Sequence, residues 1–86
     1  MPDYAVVIAR SARKELERLP WGGARRILRA IERLGADPRP AGVRKLQGAE
    51  DLWRLRVGDY RVIYAIDDAR YLVDVLAIRH RKDAYR

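Results

Sequence analysis

The stretch "WRLRVGDYRVIY" carries three arginines, Arg54, Arg56 and Arg61, among alternating large apolar residues. Gly58-Asp59 divides it into two runs of period-two alternation, the pattern of a β-hairpin with a two-residue loop. Val57 then pairs with Tyr60, Arg56 with Arg61, Leu55 with Val62 and Trp53 with Tyr64. Side chains alternate between the faces of a strand, so Trp53, Leu55, Val57, Tyr60, Val62 and Tyr64 share one face. Arg54, Arg56, Arg61 and Ile63 share the other. Like charges directly opposite each other destabilise a sheet by a few tenths to about 1 kcal/mol. An arginine face kept despite that cost suits anion recognition, because each guanidinium presents a planar fork of donors to phosphate oxygens. The plain alternative is that the arginines splay into water over Ile63 and Leu76.

The C-terminal end extends this chemistry. The run "YLVDVLAI" follows "DDAR", and a turn that pairs Ile66 with Tyr71 puts Tyr71, Val73, Val75 and Ala77 on the core face. Asp74, Leu76, Ile78 and His80 then fall on the arginine side. The single histidine points at the arginines where the strand runs into the tail "RHRKDAYR", which adds Arg79, Arg81, Lys82, Arg86 and Tyr85. Cations for phosphate beside a ring for base stacking is the mixture found at single-stranded RNA sites. A frayed basic terminus is the other reading of the tail. Lys45, in "KLQG", is either an RNA-backbone contact or an exposed loop lysine.

The elements that position these groups are short. Tyr4 to Ile8, rich in β-branched residues, reads as a first strand. Ser11 offers an N-cap to a first helix with Ala12, Leu16 and Leu19 on one side, ended by Pro20. A second helix begins near Gly23, buries Ile27, Leu28, Ile31 and Leu34, and stops at Gly35 before "DPRP". Arg25, Arg29 and Arg33 recur on its far side, as a solvated face or as a docking stripe for an acidic partner. Residues 37–51 read as an irregular connection. The order β-α-α-β-β-β predicts an α+β fold in which an antiparallel four-stranded sheet carries an N-terminal helical hairpin on one face.

The whole chain, residues 1–86, is the size of one domain with one modest core. At 49% hydrophobic and 36% charged residues it is too apolar for disorder and too interrupted by charge for a membrane span. The N-terminus lacks a signal-peptide pattern, so a cytoplasmic location is expected. No cysteine and one histidine leave no metal site and no cofactor to expect. A net charge of +7 points to polyanionic partners. Sixteen arginines against three lysines reflect either phosphate-binding geometry or an arginine-rich codon usage.

These stretches, "SARKELERLP", "DPRP", "KLQG", "WRLRVGDYRVIYAID" and "HRKDAYR", together resemble the RelE/ParE toxin superfamily over nearly the whole chain. The resemblance implies a small toxin neutralised by a RelB-like antitoxin that wraps an extended or helical segment over it. It also implies one of two activities. RelE-like members are ribosome-dependent endoribonucleases, or mRNA interferases, that cut mRNA in the ribosomal A site and inhibit translation. ParE-like members inhibit DNA gyrase without cutting nucleic acid. A plain RNA-binding module with lost chemistry is a third reading.

The RelE-like activity implies catalytic roles for Arg54, Arg56, Arg61, Arg81 and Tyr85, with Lys45, Arg79 and Lys82 as RNA contacts. Arg54 and Arg56 stand where the best-known RelE enzymes carry lysines, and an arginine, always protonated, is a poor general base. Related toxins use a glutamate before the sheet, and "RPAGVRK" has no carboxylate. Proton transfer is then expected of His80, or of Tyr85 made more acidic by cationic neighbours.

Overall fold

The computed structural model describes residues 3–46 and 51–80. Its element order is β1 (Ala5–Ile8), α1 (Arg10–Glu17), α2 (Trp21–Ala36), β2 (Arg44–Lys45), β3 (Leu52–Val57), β4 (Tyr60–Asp67) and β5 (Leu72–His80). The helical hairpin covers one face of a single sheet, as expected, and its Ile27, Ile31 and Leu34 are buried against Val62, Tyr64, Ile66, Val73, Val75 and Ile78. Leu28, expected on that face, is partly exposed. Between the helices, Pro20 sits at the N-cap of α2, where its fixed φ suits a helix start.

The sheet corrects the four-stranded antiparallel expectation. It has five strands in the order β1-β5-β4-β3-β2 and it is mixed, because β1 runs parallel to β5. Hairpin patterning reports only neighbours in sequence, whereas β1 joins β5 across nearly the whole chain and has no local signal for its direction. The fifth strand, β2, is two residues long and lies inside the stretch that reads as irregular.

Local anchors explain both departures. Tyr4 donates its backbone N–H to Gly35 O at 2.7 Å, which ties the start of β1 to the end of α2. A Cβ at Gly35 would lie 3.0 Å from Tyr4 O, so the close approach favours glycine and any larger residue would have to push the β1 backbone away. Tyr64, fully buried, donates its hydroxyl to Pro38 O at 2.7 Å and fixes the "DPRP" segment over the sheet. The chain then turns through Gly42, at φ +88°, so that Arg44 and Lys45 pair with Arg54 and Trp53. Ser11 does not cap α1. It sits inside the helix, and its hydroxyl donates to Leu76 O on the part of β5 that β1 leaves unpaired.

Candidate nucleic-acid interface

The β3–β4 hairpin has the expected register, Val57 with Tyr60, Arg56 with Arg61, Leu55 with Val62, Arg54 with Ile63 and Trp53 with Tyr64. Gly58 takes the positive φ, +59°, that the two-residue loop demands. With Val62 and Tyr64 buried beneath the helices, Arg54, Arg56 and Arg61 lie on the open face of the sheet. Two rows result. One runs Arg44, Arg54, Ile63, Ala77 across β2 to β5, and the other runs Arg56, Arg61, Arg79 across β3 to β5.

Arg44 belongs to this face although sequence patterning does not single it out. With Gly42, Arg54, Arg56 and Arg61 it lines an open pocket of about 400 Å³. Among the described residues no acidic one lines that pocket, and neither Arg44, Arg54 nor Arg56 has a carboxylate within ion-pair distance. Arg56 donates Nε–H to Gly58 O at 3.3 Å, which fixes its guanidinium beside the turn. Lys45 pairs with Trp53 and so takes the opposite face of β2, away from the arginines. The signal for Arg44 was available only through the pairing of β2, since parity cannot be assigned to a residue in a stretch read as a loop.

The position of His80 also differs from expectation. The β4–β5 pairing begins with Asp67 opposite Leu72 and is interrupted at Ile63/Tyr64, where Leu76 is an extra residue on β5. Such a bulge reverses the inward and outward alternation beyond it. Ile78, expected on the arginine side, is buried in the core opposite Val62. Ala77, expected inside, lies opposite Ile63. His80 stands opposite Tyr60 with its ring edge-on at 5.1 Å, on the face of the helices. Arg79 is thereby placed opposite Arg61, and its guanidinium reaches the Glu15 carboxylate of α1 at 2.6 Å. Tyr71, expected in the core, is partly exposed at φ +52° and packs edge-on against Tyr4. Arg81, Lys82 and Tyr85 lie outside the described residues.

The far end of the open face has the opposite sign. Asp51, Asp67, Asp68 and Asp74 line a second depression with Ala65, Ile66 and Leu72. Beside it Arg39 pairs with Asp68 in a bidentate contact, at 3.2 and 2.9 Å, and Tyr4 donates its hydroxyl to the same carboxylate at 2.6 Å. Hydrogen bonds from Arg39 and Tyr4 hold the Asp68 carboxyl down at about 2. Burial pushes the Tyr64 phenol up to about 12, so it stays neutral and keeps its hydrogen bond to Pro38 O. Among the described residues no group of three histidines and carboxylates is placed to hold a metal ion. No helix among them is long and apolar enough to cross a membrane.

Comparison with known proteins agrees with this geometry. Residues 6–85 match the family described as the ParE toxin of the type II toxin–antitoxin system parDE. The chain is 36% identical over 84 residues to the toxin RelE of Mycobacterium tuberculosis (strain ATCC 25618 / H37Rv), covering 96% of this chain and 87% of that one. It is 33% identical over 88 residues to the toxin RelG of the same organism, covering 96% and 97%. The archaeal RelE–RelB complex from Pyrococcus horikoshii OT3 contains a chain of the same fold, with a TM-score of 0.83, 36% identity and coverage of 92% of this chain and 96% of that one. The toxin–antitoxin complex RelBE2 of M. tuberculosis gives a TM-score of 0.81 at 27% identity, covering 92% and 99%.

Proposed function

The chain belongs to the RelE/ParE superfamily of toxins from type II toxin–antitoxin systems, and from that premise we propose that it is a RelE-like, ribosome-dependent endoribonuclease that cuts mRNA in the A site. The observation that carries this reading is the pocket formed by Arg44, Arg54, Arg56 and Arg61 on the open face, with no carboxylate from the described residues in its wall. An arginine pocket of that kind fits a phosphodiester backbone.

RNA supplies its own nucleophile. The 2′-oxygen bonds to the adjacent phosphorus, its proton passes to a base, and the bond to the 5′-oxygen breaks as that oxygen is protonated. The products are a 2′,3′-cyclic phosphate and a free 5′-OH. The phosphorane between them gains negative charge, and guanidiniums fixed before the reaction stabilise it without reorganising. Arg61 and Arg81 take this role, while Arg54 and Arg56 hold the backbone. With His80 turned toward Tyr60, proton transfer rests on Tyr85, which the family resemblance also places at the site. The open pocket does not enclose a substrate, so orientation of the 2′-OH comes from the ribosome, and free RNA is a poor substrate. A RelB-like antitoxin, of the kind bound in the relatives' complexes, neutralises the protein by covering this face.

A second reading, gyrase inhibition, is favoured by the family match itself, which is to the ParE toxin. Primer extension on mRNA translated in a purified ribosomal system separates the two. The proposal expects cuts within codons that require ribosomes and leave 5′-OH ends. Intact mRNA with continuing translation, from a protein that still causes DNA damage in cells, would replace it with gyrase inhibition.

A further inference from the structure

Arg44 stands on a built platform. The Tyr64–Pro38 hydrogen bond, the Arg39 guanidinium stacked 5.0 Å over Trp53 and the left-handed turn at Gly42 bring it opposite Arg54 on the edge strand. The backbone continues the register, with Leu46 N–H donating to Leu52 O at 2.9 Å. Arg44 is exposed, and no carboxylate among the described residues approaches it.

Charge and spacing define what such a residue can hold. Four guanidiniums line the pocket, and one phosphodiester brings a single negative charge. The row of Arg44 and Arg54 is displaced by two residues along the strands from the row of Arg56 and Arg61, or about 6.6–6.8 Å. That displacement is of the order of the distance between successive phosphates in an extended nucleic-acid strand. We infer that Arg44, with Arg54, binds the backbone phosphate next to the one cleaved, so that the site grips two successive phosphates and the RNA leaves the reaction centre across the β2 edge. This inference rests on the RNA-cleaving reading and adds to it a binding residue and a path for the strand. Arg44 is a contact for the bound strand and takes no part in bond making, so it acts on affinity and not on the chemical step.

The test is single-turnover cleavage on programmed ribosomes at increasing protein concentration, with wild type, Arg44→Gln, Arg44→Lys and Arg25→Gln, a charge-matched change on exposed α2. Arg44→Gln is expected to raise the half-saturating concentration about tenfold and leave the plateau rate within about twofold. Arg44→Lys should recover most of the loss, and Arg25→Gln should match wild type. An mRNA with a neutral methylphosphonate at each phosphate flanking the cut, tried in turn, completes the cycle. At one of the two positions it should weaken wild type about as much as Arg44→Gln does, and should weaken Arg44→Gln no further. An unchanged half-saturating concentration, a loss confined to the plateau, or additive effects of both methylphosphonates with Arg44→Gln would overturn the inference while leaving the RNA reading in place. Absence of any ribosome-dependent cleavage by wild type would instead remove the RNA reading, and this inference with it.

Discussion

Arg39, beside Asp68, and the arginines near Gly42 are held against the same sheet for different ends. Arg39 is locked to the Asp68 carboxylate by two hydrogen bonds, shares it with the Tyr4 hydroxyl and stacks on Trp53. Arg44, Arg54, Arg56 and Arg61 line one pocket with no acid among its described wall residues, and the register sets Arg44 against Arg54 and Arg56 against Arg61. The first arrangement ties the "DPRP" segment to the β4–β5 turn. The second gathers a reserve of positive charge in an open pocket. The difference teaches that a guanidinium locked to a carboxylate by the fold reads as structure, and that guanidiniums gathered opposite one another on an open face read as a binding surface.

Breaking the reserve should give the largest effect. Arg61→Ala is expected to lower ribosome-dependent cleavage by at least about 100-fold, the scale of removing one fixed donor from a charged transition state. Circular dichroism should show the fold unchanged. A core substitution inverts that pattern. Ile31→Ala, at a position 2% exposed between α2 and the sheet, should cost about 2–5 kcal/mol of stability in urea unfolding, while cleavage per folded molecule is retained.

The legibility of the sequence follows the same division. The hairpin register and its two faces were readable from "WRLRVGDYRVIY" because Gly-Asp fixes the loop and the alternation fixes parity. The helical hairpin was readable from Ile27, Ile31 and Leu34 at helical spacing. Three things were hidden. The parallel pairing of β1 with β5 depends on contacts between the two ends of the chain. The bulge at Leu76 carries no glycine or other local mark, yet it decides that Ile78 enters the core and that His80 faces Tyr60. Arg44 could be assigned to a face only once the anchored "DPRP" segment had placed β2 beside β3. Two of the three therefore bear directly on the candidate site, one removing the histidine from the arginine face and one adding an arginine to it.

Loosening the paired region sharpens the contrast through pH. The Asp68 carboxyl is held at about 2, below its usual value of 3.8. A lowered carboxylate pKa stabilises the folded state above the unfolded value, and the contribution is lost as pH falls through the folded one. Asp68→Asn should therefore melt below wild type at neutral pH. The gap should close between about pH 4 and pH 2 in thermal melts, with cleavage at neutral pH unaffected per folded molecule. The smallest effect runs the other way. Arg56→Thr removes a like-charge opposition to Arg61 and places a β-branched residue on the strand. It should raise stability by a few tenths to about 1 kcal/mol in urea unfolding while lowering cleavage, which would show that the open face gives up stability for binding.

The most direct measurement sets the two regions against each other in one assay: cleavage of ribosome-bound mRNA by Arg61→Ala and by Arg39→Ala, each normalised to folded protein. The account predicts that Arg61→Ala loses cleavage, whereas Arg39→Ala cleaves at close to the wild-type rate and shows its defect as a lower melting temperature. Wild-type cleavage by Arg61→Ala, or equal losses from both substitutions, would contradict the assignment of function to the arginines of the open face.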